Sequence, residues 1–87
     1  MTYKPIQCSR YDYIEIACMR SYALNITLLS GETVLNAIAK DTQIINKEEF
    51  LIININGNQQ KIRLDKIKTL SVLDENTEFS TVTINDD

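Results

Sequence analysis

The spacing of apolar residues along this chain changes period once, from helical to alternating. Ile14, Ala17 and Cys18 recur at intervals of three and four residues, which predicts an amphipathic helix over residues 10–19. Beyond Tyr22, apolar and polar residues alternate, and a period of two is typical of half-buried β-strands. The chain is therefore expected to begin with a helix and to continue as β-structure.

Six segments have the alternation or the β-branched composition of strands. They are residues 24–28, 34–39 with a bent continuation to 45, 50–55, 61–64, 67–73 and 81–84. A turn is predicted at residues 30–32, and Asn56-Gly57 is the signature of a two-residue hairpin that needs positive φ. Residues 74–78 are predicted to form a loop, and the chain from Asn85 onward a frayed acidic end.

One short helix followed by five to six antiparallel strands gives a mainly β fold. Small barrels of the Sm-like, SH3-like and OB types share this outline, and the hydrophobic pattern does not choose among them. At 87 residues, the chain is expected to form a single domain spanning residues 1–87.

The outer face of the predicted helix carries its polar residues. Ser9 and Asp12 have the spacing of a capping box, in which both side chains bind exposed backbone N–H groups. Asp12, Glu15 and Met19 fall on one face, and Tyr11 precedes Glu15 by one turn. Two interpretations are open. In one, the acids serve only as a cap and a solvated first turn; in the other, the face binds a partner.

Charge is distributed unevenly along the chain. The net charge is −3, but residues 74–87 carry five acidic residues and no basic one, so the first 73 residues sum to +2. We therefore expect no large field of one sign from the folded part. A pI near 4.8 also argues against a binding mode built on phosphate neutralisation.

Composition limits the chemistry and the location of the protein. There is no apolar run of about 20 residues and no basic segment leading into an apolar one, so we expect a cytoplasmic protein without a membrane span. Cys8 and Cys18 lack zinc-site spacing and the chain has no histidine, so we expect reduced thiols, no metal and no cofactor. Without histidine or a Gly-rich phosphate loop, we expect no enzymatic activity.

Two blocks of sequence resemble the Rof/YaeO family of Rho-binding antiterminators. The first block has the family's Tyr-x-Pro-Ile-x-Cys lead, a Tyr-Asp pair, an aliphatic-Glu pair, a further aliphatic residue and Ala-Cys. Its matching positions are Tyr3, Pro5, Ile6, Cys8, Tyr11, Asp12, Ile14, Glu15, Ile16, Ala17 and Cys18. The second block is residues 62–67, and a Gly31-Glu32 turn lies between the two. The resemblance covers most of residues 3–73.

The resemblance implies a fold, a function and a binding site. The fold would be a Sm-like barrel with the N-terminal helix laid on a bent sheet. The protein would bind the RNA-binding region of the Rho hexamer as a monomer, compete with the transcript without binding RNA itself, and so inhibit Rho-dependent termination. The residues that match the family's contact regions are Tyr11, Asp12 and Glu15 with Met19 on the helix, and Asn46 with Lys47 in a loop between strands.

The chain departs from the family where two acidic residues usually follow the Cys of the lead. Ser9 and Arg10 stand there, so that two negative charges are replaced by one positive charge. If the acidic pair contributes to the contact with Rho, this chain should bind more weakly or with a different local geometry.

An alternative function is a Sm-like module that binds single-stranded RNA. Four tyrosines lie within the first 22 residues, and Lys61, Arg63, Lys66 and Lys68 form a basic cluster. Aromatic platforms beside basic side chains are what such modules use. A solvated sheet face accounts for the same charges, and a subunit of a Sm-type ring would additionally need exposed edge strands.

Overall fold

The computed structural model describes residues 8–73 and 80–85, with side chains from Arg10 onward. Its elements in chain order are α1 (Cys8–Met19), β1 (Ala23–Leu28), β2 (Thr33–Ile45), β3 (Glu48–Ile55), β4 (Asn58–Arg63), a 3₁₀ turn (Leu64–Lys66), β5 (Ile67–Val72) and β6 (Thr81–Thr83). The predicted class, mainly β with one N-terminal helix and six antiparallel strands, is confirmed. The predicted loop at residues 74–78 lies outside the described residues.

The strands form one sheet in the order β4-β3-β2-β1-β5-β6, and every neighbouring pair is antiparallel. Within residues 8–73 and 80–85, no pairing joins β4 to β6, so the barrel is open and these strands are its edges. The sheet nevertheless curves, because a single core cluster contains side chains from β1, β2, β3 and β5. The helix α1 packs against this core and contacts β2 and β6.

The helix α1 contributes two side chains to the core. Ile14 and Ala17 are almost fully buried, as the three- and four-residue spacing predicts. They belong to the same core cluster as strand residues that are themselves inaccessible to solvent, which are Leu24, Ile26, Ala37, Ala39, Leu51, Ile53, Ile67 and Leu70. Burying a side chain the size of Ile14 contributes about 1.5–3 kcal/mol, so α1 is held mainly by this apolar stripe.

The long strand β2 contains two bulges that bend it. Opposite β1, two residues of β2, Leu35 and Asn36, face the single residue Asn25. Asn36 has φ of 57°, and its N–H donates to Oδ1 of Asn25 over 3.1 Å. Opposite β3, the register passes from Ala39 to Asp41 in one step, so Lys40 is an extra residue. Bulges of this kind increase local twist and allow one strand to serve a curved sheet.

Two expectations about chain ends are wrong. The helix begins at Cys8, two residues before the predicted start, so Ser9 lies within the first turn instead of preceding it; the Ser9 side chain lies outside the described residues. Asn85 is not frayed, because its Nδ2 donates to the carbonyl oxygens of Leu64 at 2.8 Å and Ile67 at 2.7 Å. These two bonds fasten the end of the described chain to the 3₁₀ turn and β5, a long-range contact that local sequence does not signal.

The two tight hairpins both use left-handed backbone. Asn56 and Gly57 have φ of 52° and 83°, which confirms the predicted hairpin. The β2–β3 turn has the same geometry, with φ of 50° at Asn46 and 67° at Lys47. Lysine is an unfavourable residue at such a position, because its Cβ approaches the backbone carbonyl. The hairpin tip at residues 46–47 is therefore locally strained, and both of its residues are exposed.

Candidate functional site

A groove of about 320 Å³ runs between α1 and the bulged middle of β2. Its lining is polar apart from two sulfur-containing side chains, and consists of Glu15, Cys18, Met19, Lys40, Asp41 and Thr42. The helix contributes residues one turn apart, and the bulge turns three consecutive strand residues toward the groove. Glu15 and Met19, both predicted as site residues, meet here.

Tyr11 lies in the contact between the helix and the sheet rather than only on the outer patch. Its side chain is half-buried against the core, and its hydroxyl donates a hydrogen bond to Oγ1 of Thr42 at 3.2 Å. The expectation that Tyr11 simply joins the outer face is therefore incomplete. The half-buried ring packs against the core, and the hydroxyl links α1 to β2 beside the groove.

Asp12 and Glu15 are exposed in the middle of α1. The helix has no acidic residue in its first turn, so the expectation that Glu15 is a first-turn acid is wrong. Asp12 and Glu15 form no ion pair with any part of the chain that the structure describes. Both interpretations of this helix face, a solvated surface and a contact for a partner, are compatible with the exposure of the two acids.

The Cys18 thiol reports the electrostatics of the groove. Burial raises its pKa to about 11, and the negative charges of Asp41 and Glu15 add to the shift. Cys18 is a free thiol, as expected, and it is a poor nucleophile at neutral pH because the thiolate is scarce. The side chain of Cys8 lies outside the described residues.

Asn46 and Lys47 stand apart from the groove, at the tip of the β2–β3 hairpin. Asn46 is four positions beyond Thr42, and extended strand covers a distance of about 13 Å in four steps. The structure therefore gathers Glu15, Met19 and Tyr11 beside the middle of β2, and places the two hairpin residues farther along the same strand. We define the partner surface as α1's exposed face, this stretch of β2 and the hairpin tip.

Sequence reasoning missed the strand side of the groove. Lys40, Asp41 and Thr42 line it only because Lys40 is an extra residue in the register with β3. The one local signal was the run of four polar residues at 40–43 between two apolar stretches. The predicted bent continuation of the second strand includes this run.

Two members of the basic cluster proposed for RNA, Arg63 and Lys61, make contacts within the fold, whereas Lys66 and Lys68 are exposed. Arg63 donates through Nε and Nη2 to the two carboxylate oxygens of Asp65, at 3.1 and 2.7 Å, and its Nη1 lies 3.1 Å from Oε2 of Glu48. The Lys61 ammonium lies 5.4 Å from the centre of the Phe50 ring. An arginine held on both sides by carboxylates is a poor phosphate ligand, and this counts against the RNA-binding alternative.

Two further features of the described residues bear on the chemistry of the site. In residues 8–73 and 80–85, no group of three or more His, Cys, Asp or Glu side chains is arranged to hold a metal ion. The only α-helix found there, α1, is too short to cross a membrane.

Comparison with known proteins gives a consistent match. Residues 5–84 match the family described as modulator of Rho-dependent transcription termination (ROF). Protein rof from Escherichia coli (strain K12) and Protein rof from Shigella flexneri are each 39% identical to this chain over 70 residues, which is 80% of this chain and 82% of theirs. The solved structure of YaeO bound to magnesium from Vibrio cholerae O395 superposes with a TM-score of 0.78 at 29% identity, covering 86% of this chain and 97% of that one.

Proposed function

Because the chain belongs to the Rof family of modulators of Rho-dependent transcription termination, we propose that it binds Rho directly through the partner surface defined above. The contact covers the RNA-binding region of the Rho hexamer and keeps the transcript out, so termination is inhibited. No catalysis and no cofactor is involved. The protein acts as a monomer in the cytoplasm, where Rho meets nascent transcripts.

The observation that carries this proposal is the position of Asp12 and Glu15. Both are exposed in α1 beyond its first turn, and neither has an ion-pair partner among the described residues. A groove built for RNA offers Lys and Arg donors, and such donors bind carboxylates as readily as phosphates. The two helix acids would therefore occupy phosphate positions in Rho.

The hairpin tip supplies the second contact in the proposal. Asn46 and Lys47 are exposed and rigidly presented by a tight turn, so they bind without the entropy cost of ordering a loop. The Asn46 amide both donates and accepts hydrogen bonds, which suits the polar rim of an interface. Binding through two separated elements also favours one orientation on Rho.

The proposal is tested by competition for RNA. A fluorescently labelled pyrimidine-rich RNA is bound to purified Rho, this protein is added, and the anisotropy is followed, with a parallel titration that lacks Rho. We expect the anisotropy to fall to that of unbound RNA in the Rho sample and to stay constant in the other. RNA binding without Rho would replace the proposal by the single-strand RNA alternative, and no effect in either titration would refute both.

Charge reversal identifies the surface. Glu15→Lys should weaken displacement of RNA, because a lysine would face the basic groove of Rho. Glu32→Lys is the matched control, since Glu32 is also an exposed acid but lies in the β1–β2 turn. Equal effects of the two substitutions would show that net charge alone, and not the helix face, decides binding.

A further inference from the structure

We infer that Ile44 is an apolar contact at the centre of the partner surface, a role that the sequence did not indicate. The inference rests on the proposed binding of Rho and adds a residue to it.

The bulge at Lys40 decides which way Ile44 points. Before the bulge, Ala37 and Ala39 face the core. After it, Thr42 pairs with the buried Leu51, so the even-numbered residues take over the helix side of the sheet. No further register shift occurs before Ile45, and Ile44 therefore lies on the same side as Thr42, about 7 Å along the strand.

This position joins the two halves of the partner surface. Tyr11 marks the helix side, because its hydroxyl is bonded to Thr42. Asn46 lies two residues beyond Ile44, in the turn at the hairpin tip. The polar contacts of α1 and of the hairpin tip thus flank Ile44 along one strand.

Ile44 has no packing role that would explain an isoleucine. Its side chain is 71% exposed, whereas Ile14, Ile26 and Ile53 are completely buried. A single exposed apolar residue is ordinary on a protein surface. An apolar residue in the middle of a polar surface on a rigid strand, however, has the arrangement of an interface centre surrounded by a polar rim.

The chemistry of the partner fits an aliphatic contact. Surfaces that bind single-stranded nucleic acid stack the bases on aromatic side chains between the basic residues that hold the backbone. When RNA is displaced, those aromatic rings are exposed to water unless an apolar side chain packs on them. We propose that Ile44 packs on such a ring in Rho while Asp12 and Glu15 bind the neighbouring basic side chains.

The test compares the affinities of variants for purified Rho, measured by anisotropy of the labelled protein. Ile44→Ala should weaken binding by about 10-fold, and Ile44→Val, which keeps most of the apolar area, should bind nearly as well as the parent. Leu35→Ala is the matched control, because Leu35 is a 58% exposed aliphatic residue on the same strand but beside β1. It should leave the affinity unchanged.

The outcomes separate this inference from the proposal beneath it. If the parent protein does not bind Rho, both fail. If the parent binds and Glu15→Lys weakens binding while Ile44→Ala does not, only the role of Ile44 is refuted. A change in the sedimentation of the protein alone on Ile44→Ala, without a change in Rho affinity, would instead assign Ile44 to self-association and would also overturn the inference.

Discussion

The Tyr11 hydroxyl donates a hydrogen bond to Oγ1 of Thr42 at 3.2 Å, and this bond ties the start of α1 to the bulged middle of β2. Lower on the helix, Ile14 and Ala17 are buried in the core. Together, the hydrogen bond and the buried apolar stripe fix where α1 lies along β2 and how it is rotated about its own axis. The exposed acids keep a defined position relative to β2 for this reason.

Removing the Tyr11 hydroxyl should weaken the attachment of α1 to β2 without unfolding the core. We expect Tyr11→Phe to lower the free energy of unfolding by about 1 kcal/mol, the usual net value of one hydrogen bond. Thr42→Val should have a similar effect, and the double variant should cost little more than either change alone. Urea denaturation followed by circular dichroism measures all three. Strict additivity would show that the two side chains do not interact in solution.

The bulge at Asn36 should tolerate glycine and reject β-branched residues. Asn36 has φ of 57°, where a β-branched side chain is strained, so Asn36→Val should destabilise the fold by about 1–2 kcal/mol. Asn36→Gly should be close to neutral, because glycine adopts this φ without strain. Asn25→Ala, which removes the acceptor of the Asn36 N–H, should be destabilising as well. Equal stability of the valine and glycine variants would contradict the bulge.

Lys47→Gly should change stability and binding in opposite directions. Lys47 has φ of 67°, so glycine should relieve strain and raise the free energy of unfolding by about 1 kcal/mol. Loss of the side chain should at the same time weaken binding to Rho if the hairpin tip is a contact. Gly57→Lys is the reverse change in the other hairpin, and it should destabilise without affecting Rho. Thermal unfolding and anisotropy titrations distinguish the two effects.

Arg63 should act on stability rather than on RNA affinity. Arg63→Lys keeps the charge but loses the two-pronged bond to Asp65, and Arg63→Ala leaves both Asp65 and Glu48 without it. We expect the alanine variant to lose about 1.5–3 kcal/mol and the lysine variant less. Lys66→Ala, an exposed residue in the same cluster, should change stability by no more than about 0.5 kcal/mol. An Arg63 variant of unchanged stability would mean that the ion pairs contribute nothing in solution.

Alkylation of Cys18 should report the acidic character of the groove. Only the thiolate reacts, and a pKa of about 11 places most of its formation far above neutral pH. The rate with iodoacetamide, resolved from that of Cys8 by peptide mass spectrometry, should therefore rise with pH until about 11, whereas a denatured chain should level off near 9.0. Asp41→Asn should move the profile to lower pH, and Glu32→Gln should not. A profile unaffected by Asp41→Asn would remove that residue from the groove.

Local sequence determined the element types, because their signals lie within a few residues. The three- and four-residue spacing of Ile14, Ala17 and Cys18 marks a helical face, and Asn56-Gly57 is one of few dipeptides that accept a tight hairpin. These features also sustain the resemblance to the Rof family, which the match over residues 5–84 confirms. By contrast, the position of β4 and β6 at the two edges of the sheet depends on pairings between strands that are far apart in the sequence.

Tertiary structure alone decided which way the site residues point. An extra residue at Lys40 reverses the faces of β2, so that Thr42 and Ile44 lie on the helix side, and no local pattern states that a strand will bulge. The engagement of Arg63 by Asp65 and Glu48 likewise depends on how β3, β4 and the 3₁₀ turn come together. Sequence fixes period and propensity over short distances, whereas register and ion pairing are settled by the packing of segments that are far apart in the chain.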